Sequence, residues 1–313
     1  MEDYKTHTMY ELKQKQSLSL ANKIYMTQRR IKSWCEYYDF NVYISFSGGK
    51  DSTVLKHIAQ SMYPDIPAVF CNTGLEYPEV KKFAMAQDNV TVITPKMMFK
   101  DVIDDYGYPV ISKEQSSYIY EIRNTKSEKL KNLRLYGDTN GSYKLSEKWK
   151  FMLDAPFKIS DKCCDVMKKE PFKRYEKETD RKGIVGTMTD ESALRLNSWM
   201  KYGCNAFDAK RPLSRPMSFW TEQDVLRYIV ENNLQIASVY GEVKKDELGR
   251  YYTTGASRTG CMFCMYGVHQ ECEPNRFQRM QQTHPKLYEF CMNDLGLKEV
   301  LQYMSIPCKM SIK

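Results

Sequence analysis

The sequence has no long apolar run. Its first residues, MEDYKTHTMYELKQK, are charged and polar, so they do not provide the apolar segment of a secretion signal. No later stretch has the length of continuous apolar sequence that a bilayer span needs, and the mean hydropathy of −0.61 agrees. We therefore expect a soluble, cytoplasmic protein with no membrane partner.

Internal repeats and low-complexity linkers are also lacking, which excludes fibrous and repeat architectures. With 42% hydrophobic and 27% charged residues, the composition is that of a globular protein and not of a disordered one. The 313 residues suit one large domain or two modest ones. A net charge of +8 permits a polyanionic partner without requiring one.

Cysteine is the one residue type with an unusual count. Ten cysteines would suit a disulfide-stapled scaffold only in a small secreted chain, and this chain is large enough to bury a core without them. We expect them to be thiols, metal ligands or both.

The hydrophobic pattern predicts alternating strands and helices. An apolar repeat at helical spacing over 9–38 predicts one long N-terminal helix. Buried strands are predicted over 41–46, 67–72, 90–94 and 183–187, with helices over 51–63, 161–178 and 221–233 between and after them. This order predicts an α/β fold with a doubly wound parallel sheet.

We divide the chain into an N-terminal helix (1–40), a nucleotide-binding domain (41–239) and a helical, Cys-rich C-terminal part (240–313). Within the second segment, residues 112–158 break the alternation. Lysine and arginine outnumber acids there, and tyrosines and a tryptophan lie among them. Such a stretch is typical of a nucleic-acid surface, and equally of a solvated lid over an active site.

The string SGGKDS stands between the first strand and its helix. Gly48 and Gly49 let the backbone approach an anion, and Lys50 adds a compact positive charge. Hydroxyl donors come from Ser47, Ser52 and Thr53. The spacing of a Walker loop is absent. The string instead resembles the pyrophosphate-binding loop of the N-type ATP pyrophosphatases, which implies ATP as substrate, with Asp51 helping to hold Mg²⁺.

A second turn follows the next strand, at Asn72, Thr73 and Gly74. In an open parallel sheet the ligand crevice lies at the carboxyl ends of adjacent strands, so this turn is predicted to face the same nucleotide. A plain strand-to-helix turn explains the same residues equally well.

Two separated pairs of cysteines form the second candidate site. Cys163 and Cys164 are adjacent, and Cys261 and Cys264 form a C-x-x-C pair much later in the chain. Four thiolates suffice for a tetrahedral metal site or an iron–sulfur cluster. A zinc site of Cys261, Cys264, Cys272 and Cys291 is the competing interpretation.

Four ordered segments resemble the phosphoadenosine phosphosulfate (PAPS) reductase-like family. They are the phosphate loop, the Cys-Cys…Lys…Pro segment from Cys163 to Pro171, the Gly…Glu-Ser…Arg segment from Gly186 to Arg195, and the Pro…Trp-Thr…Asp-Val segment from Pro216 to Val225. The resemblance implies a 4Fe-4S cluster on Cys163, Cys164, Cys261 and Cys264. It also implies functional roles for Lys168 and Arg195 and nucleotide contacts for Glu191 and Ser192. A solvated Lys168 and an intrahelical Glu191–Arg195 pair are the simpler alternatives.

The chain departs from true sulfonucleotide reductases at three points. Its phosphate loop is intact, its tail around Cys308 lacks the Gly-Leu-His context, and Met188 stands where those enzymes commonly have arginine. These departures favour the branch that couples ATP adenylation to sulfur incorporation. We therefore expect adenylyl transfer with pyrophosphate release, acting on tRNA, DNA or a small acceptor with a sulfur-donor protein as partner. The alternatives are a sulfonucleotide reductase producing sulfite and a non-catalytic nucleotide sensor.

Overall fold

The computed structural model describes residues 7–310. Its α-helices are α1 (Met9–Gln16), α2 (Leu20–Tyr37), α3 (Lys50–Met62), α4 (Pro78–Met85), α5 (Phe99–Tyr106), α6 (Lys113–Asn124), α7 (Glu128–Tyr136), α8 (Glu170–Thr179), α9 (Ala193–Tyr202), α10 (Glu222–Glu231), α11 (Arg276–Thr283), α12 (Pro285–Glu289) and α13 (Leu297–Tyr303). Its strands are β1 (Val42–Phe46), β2 (Ala68–Cys71), β3 (Val90–Ile93), β4 (Val110–Ile111), β5 (Lys182–Val185), β6 (Asn205–Ala206), β7 (Leu213–Ser214), β8 (Val243–Lys245), β9 (Tyr251–Thr253) and β10 (Met265–Tyr266).

The chain forms two compact units, and each is made of separate segments. The first contains the residues up to Asn72, Glu76–Thr94 and Phe172–Thr259, and the second contains Thr73–Leu75, Pro95–Pro171 and the residues from Gly260 onward. These units cross the segment boundaries expected from the sequence. Residues 95–171 fall in the second unit, and residues 240–259 fall in the first, where β8 and β9 pair as an antiparallel hairpin.

The first unit is built on a mostly parallel sheet with the strand order β3-β2-β1-β5-β7-β6. Phe46 of β1 is in register with Phe70 of β2, and Ser45 of β1 with Val185 of β5, so these three strands end at the same edge. Chain order reverses direction across the sheet at β1, as in doubly wound folds. The predicted α/β fold with a parallel sheet is confirmed.

The predicted single helix over 9–38 is wrong, because two serines divide it. The helix α1 ends at Ser17, and the side chain of Ser19 accepts a hydrogen bond from the backbone N–H of Asn22 at the start of α2. Serine hydroxyls compete for backbone groups in this way, which favours caps over helix interiors. The apolar repeat continues through both helices, which explains why spacing alone predicts one.

The second unit holds most of the basic stretch, which is more ordered than its sequence suggests. It forms α6, α7 and a 3₁₀ helix (Glu147–Asp154). The guanidinium of Arg123 donates to four backbone carbonyls, those of Met152, Leu153, Ala155 and Phe157. Part of the basic excess therefore organises the chain itself.

The C-terminal helices α11 to α13 also belong to the second unit, as expected for a helical Cys-rich part. Among the described residues, no helix combines the length and the apolar character needed to cross a membrane.

Candidate functional site

The turn from β1 into α3 can be made only by glycine at position 48. Gly48 has a φ of +72°, and a Cβ there would lie 2.9 Å from the carbonyl oxygen of Val80. Gly49 is the N-cap of α3, and no side chain caps the helix there. The first N–H groups of this helix, together with its dipole, therefore form the kind of surface that binds an anion.

The hydroxyl groups of the loop stabilise the turn by hydrogen bonds. The Ser52 and Thr53 side chains donate to the carbonyl of Gly49 at 2.9 and 3.0 Å, and the hydroxyls of Ser47 and Ser52 lie 3.0 Å apart. The Ser47 Oγ also accepts a hydrogen bond from the Gly49 N–H. The predicted phosphate donors thus have a second, structural task in holding the loop.

Lys50 is almost fully buried, with 4% of its surface exposed. Its Nζ donates to the carbonyl of Ser257 at 2.9 Å and lies 3.1 Å from a carboxylate oxygen of Glu222. The Tyr240 hydroxyl accepts from the Lys50 backbone N–H at 3.3 Å and contacts the Thr259 hydroxyl at 2.5 Å. The loop lysine is thus held by residues that follow it by roughly two hundred positions in the chain.

The carboxyl group of Asp51 is the least satisfied acid of the site. Its Oδ1 is buried and has no hydrogen-bond partner among the described residues. Burial raises its pKa, and the nearby cations Lys50, Arg258 and Arg195 oppose that increase. A buried oxygen of this kind is costly unless a cation or a donor pairs with it. Asp51 therefore fits the hard-oxygen ligand set of Mg²⁺.

Two further unsatisfied oxygens lie at the same edge of the sheet. Asn72 Oδ1 directly follows β2, and Thr187 Oγ1 comes two residues after β5; both are buried without a hydrogen-bond partner among residues 7–310. Gly186 lets this segment approach the loop, since a Cβ there would lie 3.1 Å from the carbonyl oxygen of Asp51. The ends of three adjacent parallel strands therefore present polar atoms that a ligand can pair.

Glu191 joins two arginines near the loop. Its carboxylate contacts the Arg195 guanidinium, four residues later, and lies 2.9 Å from Nη2 of Arg258. The other predicted residue of this segment, Ser192, caps α9 by accepting from the Arg195 N–H. Burial lowers the pKa of Arg195, and Arg258 adds to this effect. Both arginines contribute positive charge around Asp51.

Thr73 and Gly74 lie in the second unit. The Thr73 hydroxyl accepts from the Leu75 N–H at 3.2 Å, and the Leu75 carbonyl accepts from the N–H of Met262 at 2.8 Å. Gly74 has a φ of +75° with open space where a Cβ would stand. A backbone hydrogen bond therefore connects this turn to the segment that carries the later cysteine pair.

The second unit brings both cysteine pairs together. Burial raises the pKa of Cys163, and Cys164, Cys261 and Cys264 raise it further, so the other three cysteines lie within electrostatic reach of Cys163. Burial and Cys261 likewise raise the pKa of Cys264 to about 11. Cys261 and Cys264 are joined by a backbone hydrogen bond of 3.2 Å between the Cys264 N–H and the Cys261 carbonyl. Four neighbouring thiols are the donor set that iron–sulfur clusters use.

The first pair begins a widened helical turn. Residues Asp165–Lys169 form a π-helical turn before α8, and Pro171 next to this turn has no N–H to donate. Such turns are frequent at functional sites. Lys168 lies on this turn and lowers the pKa of Cys163. Asp165 pairs with Lys113 and Lys169 at 3.0 and 2.7 Å, so the turn is also held by ion pairs.

The competing zinc set adds Cys272 and Cys291 to the later cysteine pair. Cys272 is exposed, and the pKa of buried Cys291 is raised by burial with no contribution from another cysteine. Within residues 7–310, no group of three or more His, Cys, Asp or Glu side chains is placed to hold a metal ion. A four-iron cluster distributes its thiolates over different irons, so it does not require them to converge on one ion.

Sequence reasoning missed Glu222, Tyr240 and Arg258. Glu222 follows Thr221 within the predicted Trp-Thr…Asp-Val segment, and its position on the first turn of α10 was the only available signal. Tyr240 and Arg258 belong to a stretch assigned to the C-terminal part, and only the fold places them next to Lys50 and Glu191.

The phosphoadenosine phosphosulfate reductase domain family matches this chain over residues 41–109 and 110–266. Because the match covers well over half of the sequence, the chain belongs to this family. The resemblance derived from the four motif segments is thereby confirmed.

An uncharacterized protein of Methanocaldococcus jannaschii is 25% identical over 294 residues, which are 92% of this chain and 54% of that protein. The chain thus spans about half the length of the curated relative it matches.

Two solved structures are similar with low scores. One is the PAPS reductase from Candida auris in a phosphate complex, with a TM-score of 0.38, 16% identity, and 78% of this chain and 98% of that chain covered. The other is the U34-tRNA thiolase NcsA from Methanococcus maripaludis with its 4Fe-4S cluster, with a TM-score of 0.37, 14% identity, and 94% and 84% covered. Similarity at this level carries no argument about function.

The burial of Asp51 predicts a conflict between stability and ligand binding. Because burial raises its pKa above the unfolded-state value, the folded chain binds more protons between the two pKa values, and stability falls as the pH rises through them. Asp51→Asn is therefore expected to raise the thermal midpoint at pH 7 in magnesium-free buffer, and to remove the added stability that Mg²⁺ and ATP give the wild type.

Asp65→Asn is the matched control, because Asp65 is exposed. It should leave both quantities unchanged in differential scanning calorimetry. A lower thermal midpoint for Asp51→Asn without ligands would contradict the interpretation that burial of the Asp51 carboxylate lowers stability.

Proposed function

We propose that the chain catalyses ATP-dependent adenylyl transfer with release of pyrophosphate, within a reaction that inserts sulfur into an acceptor. Membership of the PAPS reductase domain family supports enzymatic nucleotide chemistry. The observation that carries the ATP assignment is Asp51, whose buried carboxylate has an unpaired oxygen at the start of an uncapped helix.

The loop supplies binding and charge compensation. The N–H groups of the first turn of α3 bind phosphate oxygens, and Lys50 exchanges the Ser257 carbonyl and Glu222 for the departing pyrophosphate. Glu222 is half-exposed, so its carboxylate can turn to solvent when phosphate oxygens replace it as the partner of Lys50. Mg²⁺ held by Asp51 would neutralise charge on the phosphates.

The two arginines next to Glu191 provide a second source of positive charge. Arg195 and Arg258 both lie near Asp51, and each is paired with Glu191. We assign them to the α-phosphate or the acceptor, where extra negative charge develops during attack. Glu191 orients both and is a positioning residue in this scheme.

The four cysteines Cys163, Cys164, Cys261 and Cys264 would hold the iron–sulfur cluster. Their neighbourhood in one compact unit supports this assignment, and zinc is the alternative metal. A bound cluster would supply either sulfur chemistry or a structural charge centre. Lys168 on the same turn balances thiolate charge.

We infer a nucleic acid, tRNA or DNA, or a small molecule as acceptor. A sulfur-donor protein is the expected partner, and the cytoplasm the expected location, because ten cysteines without a disulfide among the described residues suit a reducing compartment. The exposed lysines that remain in the basic stretch support a polyanionic acceptor.

A sulfonucleotide reductase is the second candidate, favoured by the family's own description. Against it, Met188 is buried and its position offers no cation. A nucleotide sensor that binds its ligand without turnover is the third candidate.

The products of ATP distinguish these candidates. Protein incubated with ATP, Mg²⁺ and tRNA, DNA or small acceptors is expected to release pyrophosphate and to transfer AMP to the acceptor, and added sulfide should then displace free AMP. Lys50→Ala should lower this rate about a hundredfold or more, since it removes a charge that stabilises the leaving group, whereas exposed Lys244→Ala should not. Products of ADP and phosphate would contradict the proposal, sulfite released from adenylylsulfate and a thiol would favour the reductase, and binding without products would favour the sensor.

The cluster is tested separately, by composition. Anaerobically reconstituted wild-type protein is expected to hold about four irons and four acid-labile sulfides per chain. Cys163→Ser should lose most of both and the absorbance of the cluster, whereas exposed Cys272→Ser should keep them. A colourless protein holding only zinc would overturn the cluster assignment, and retention of iron in Cys163→Ser would overturn the ligand set.

A further inference from the structure

Beyond the phosphate loop, α3 carries a stripe of polar side chains on one face. Together with the segment after α4, this stripe lines a cavity of about 300 Å³ in the first unit. Apart from the apolar Leu234, the lining is polar: Thr53, Lys56, His57, Gln60, Ser61 and Gln87. No acidic side chain of the described chain lines it.

Lys56 is the unusual member of this set. Only 9% of its surface is exposed, and its Nζ is not among the buried side-chain atoms of the described chain that lack a hydrogen-bond partner. Its Nζ lies 5.9 Å from the centre of the Phe46 ring. Burial lowers its pKa, and Asp88 opposes that shift from outside the lining. The methylene stem of Lys56 is therefore packed, and its ammonium can open into the cavity that the residue lines, where an anion can pair with it.

The neighbouring groups are fixed by contacts outside the cavity. The Nδ1 of His57 lies 2.8 Å from the Tyr228 hydroxyl, which leaves Nε2 as the second ring nitrogen. The side-chain amide of Gln60 donates to the carbonyl of Ile66 at 2.9 Å. Gln87 adds a further amide to the lining. The cavity therefore places one lysine among polar side chains that carry no negative charge.

We propose that this cavity binds a small tetrahedral oxyanion of the phosphate or sulfate class. A compact ammonium is a point charge that suits such ions, and surrounding polar groups satisfy oxygens that point in different directions. The site is separate from the phosphate loop, because Lys56 follows Lys50 by about 9 Å of helix rise. Thr53 connects the two, since it lines the cavity and its hydroxyl donates to Gly49 of the loop.

The test measures anion binding while the loop is filled. Full-length protein is saturated with α,β-methylene-ATP and Mg²⁺, and the thermal midpoint is followed against phosphate, sulfate, acetate and chloride at constant ionic strength. We expect phosphate or sulfate to raise the midpoint of the wild type. Lys56→Met should weaken this response at least tenfold in apparent affinity.

Lys32→Met is the matched control, because Lys32 is more than half exposed, and it should respond like the wild type. The midpoint of Lys56→Met without anions should not fall, since methionine keeps the packing of the buried stem; this separates loss of binding from loss of folding. The proposal is overturned by three results: no response of the wild type with the loop filled, an undiminished response in Lys56→Met, or an acetate response equal to that of phosphate.

Discussion

The turn from β1 into α3 is the constraint on which the rest of the site depends. Gly48 adopts a left-handed backbone, and its missing side chain lets the chain pass against Val80 of α4. Only then does α3 begin at a glycine N-cap that makes no side-chain cap, with Lys50 and Asp51 on its first turn. The sheet adds the neighbouring strand ends to the same edge.

Buried side-chain oxygens without hydrogen-bond partners lie together at the site. The side-chain oxygens of Asp51, Asn72 and Thr187 are buried without hydrogen-bond partners among the described residues, and each follows one of three adjacent strands. Unpaired groups of this kind lower stability, and functional sites are where such costs concentrate. These oxygens of the first unit thus lack hydrogen-bond partners at a place where a ligand can provide them.

Sequence predicted the fold class, the family and the strands β1, β2, β3 and β5, because strand and helix periodicities and local motifs depend on neighbours in the chain. It placed α1 and α2 in one helix, because apolar spacing does not register the Ser17 and Ser19 caps. Glu222, Tyr240 and Arg258 could not be predicted, since they reach Lys50 or Glu191 only through tertiary packing. Composition also does not reveal that Arg123 of the basic stretch binds backbone carbonyls, so the part of the charge that organises the chain could not be separated from the part that remains exposed.

The proposed function depends on cleavage of ATP between its α and β phosphates. It is tested most directly with two ATP analogues, each offered with Mg²⁺ and the acceptor that supports turnover. We expect β,γ-methylene-ATP to be consumed, with AMP as a product, and α,β-methylene-ATP to be left intact. Consumption of α,β-methylene-ATP with release of phosphate, while the β,γ-methylene analogue is left intact, would contradict it.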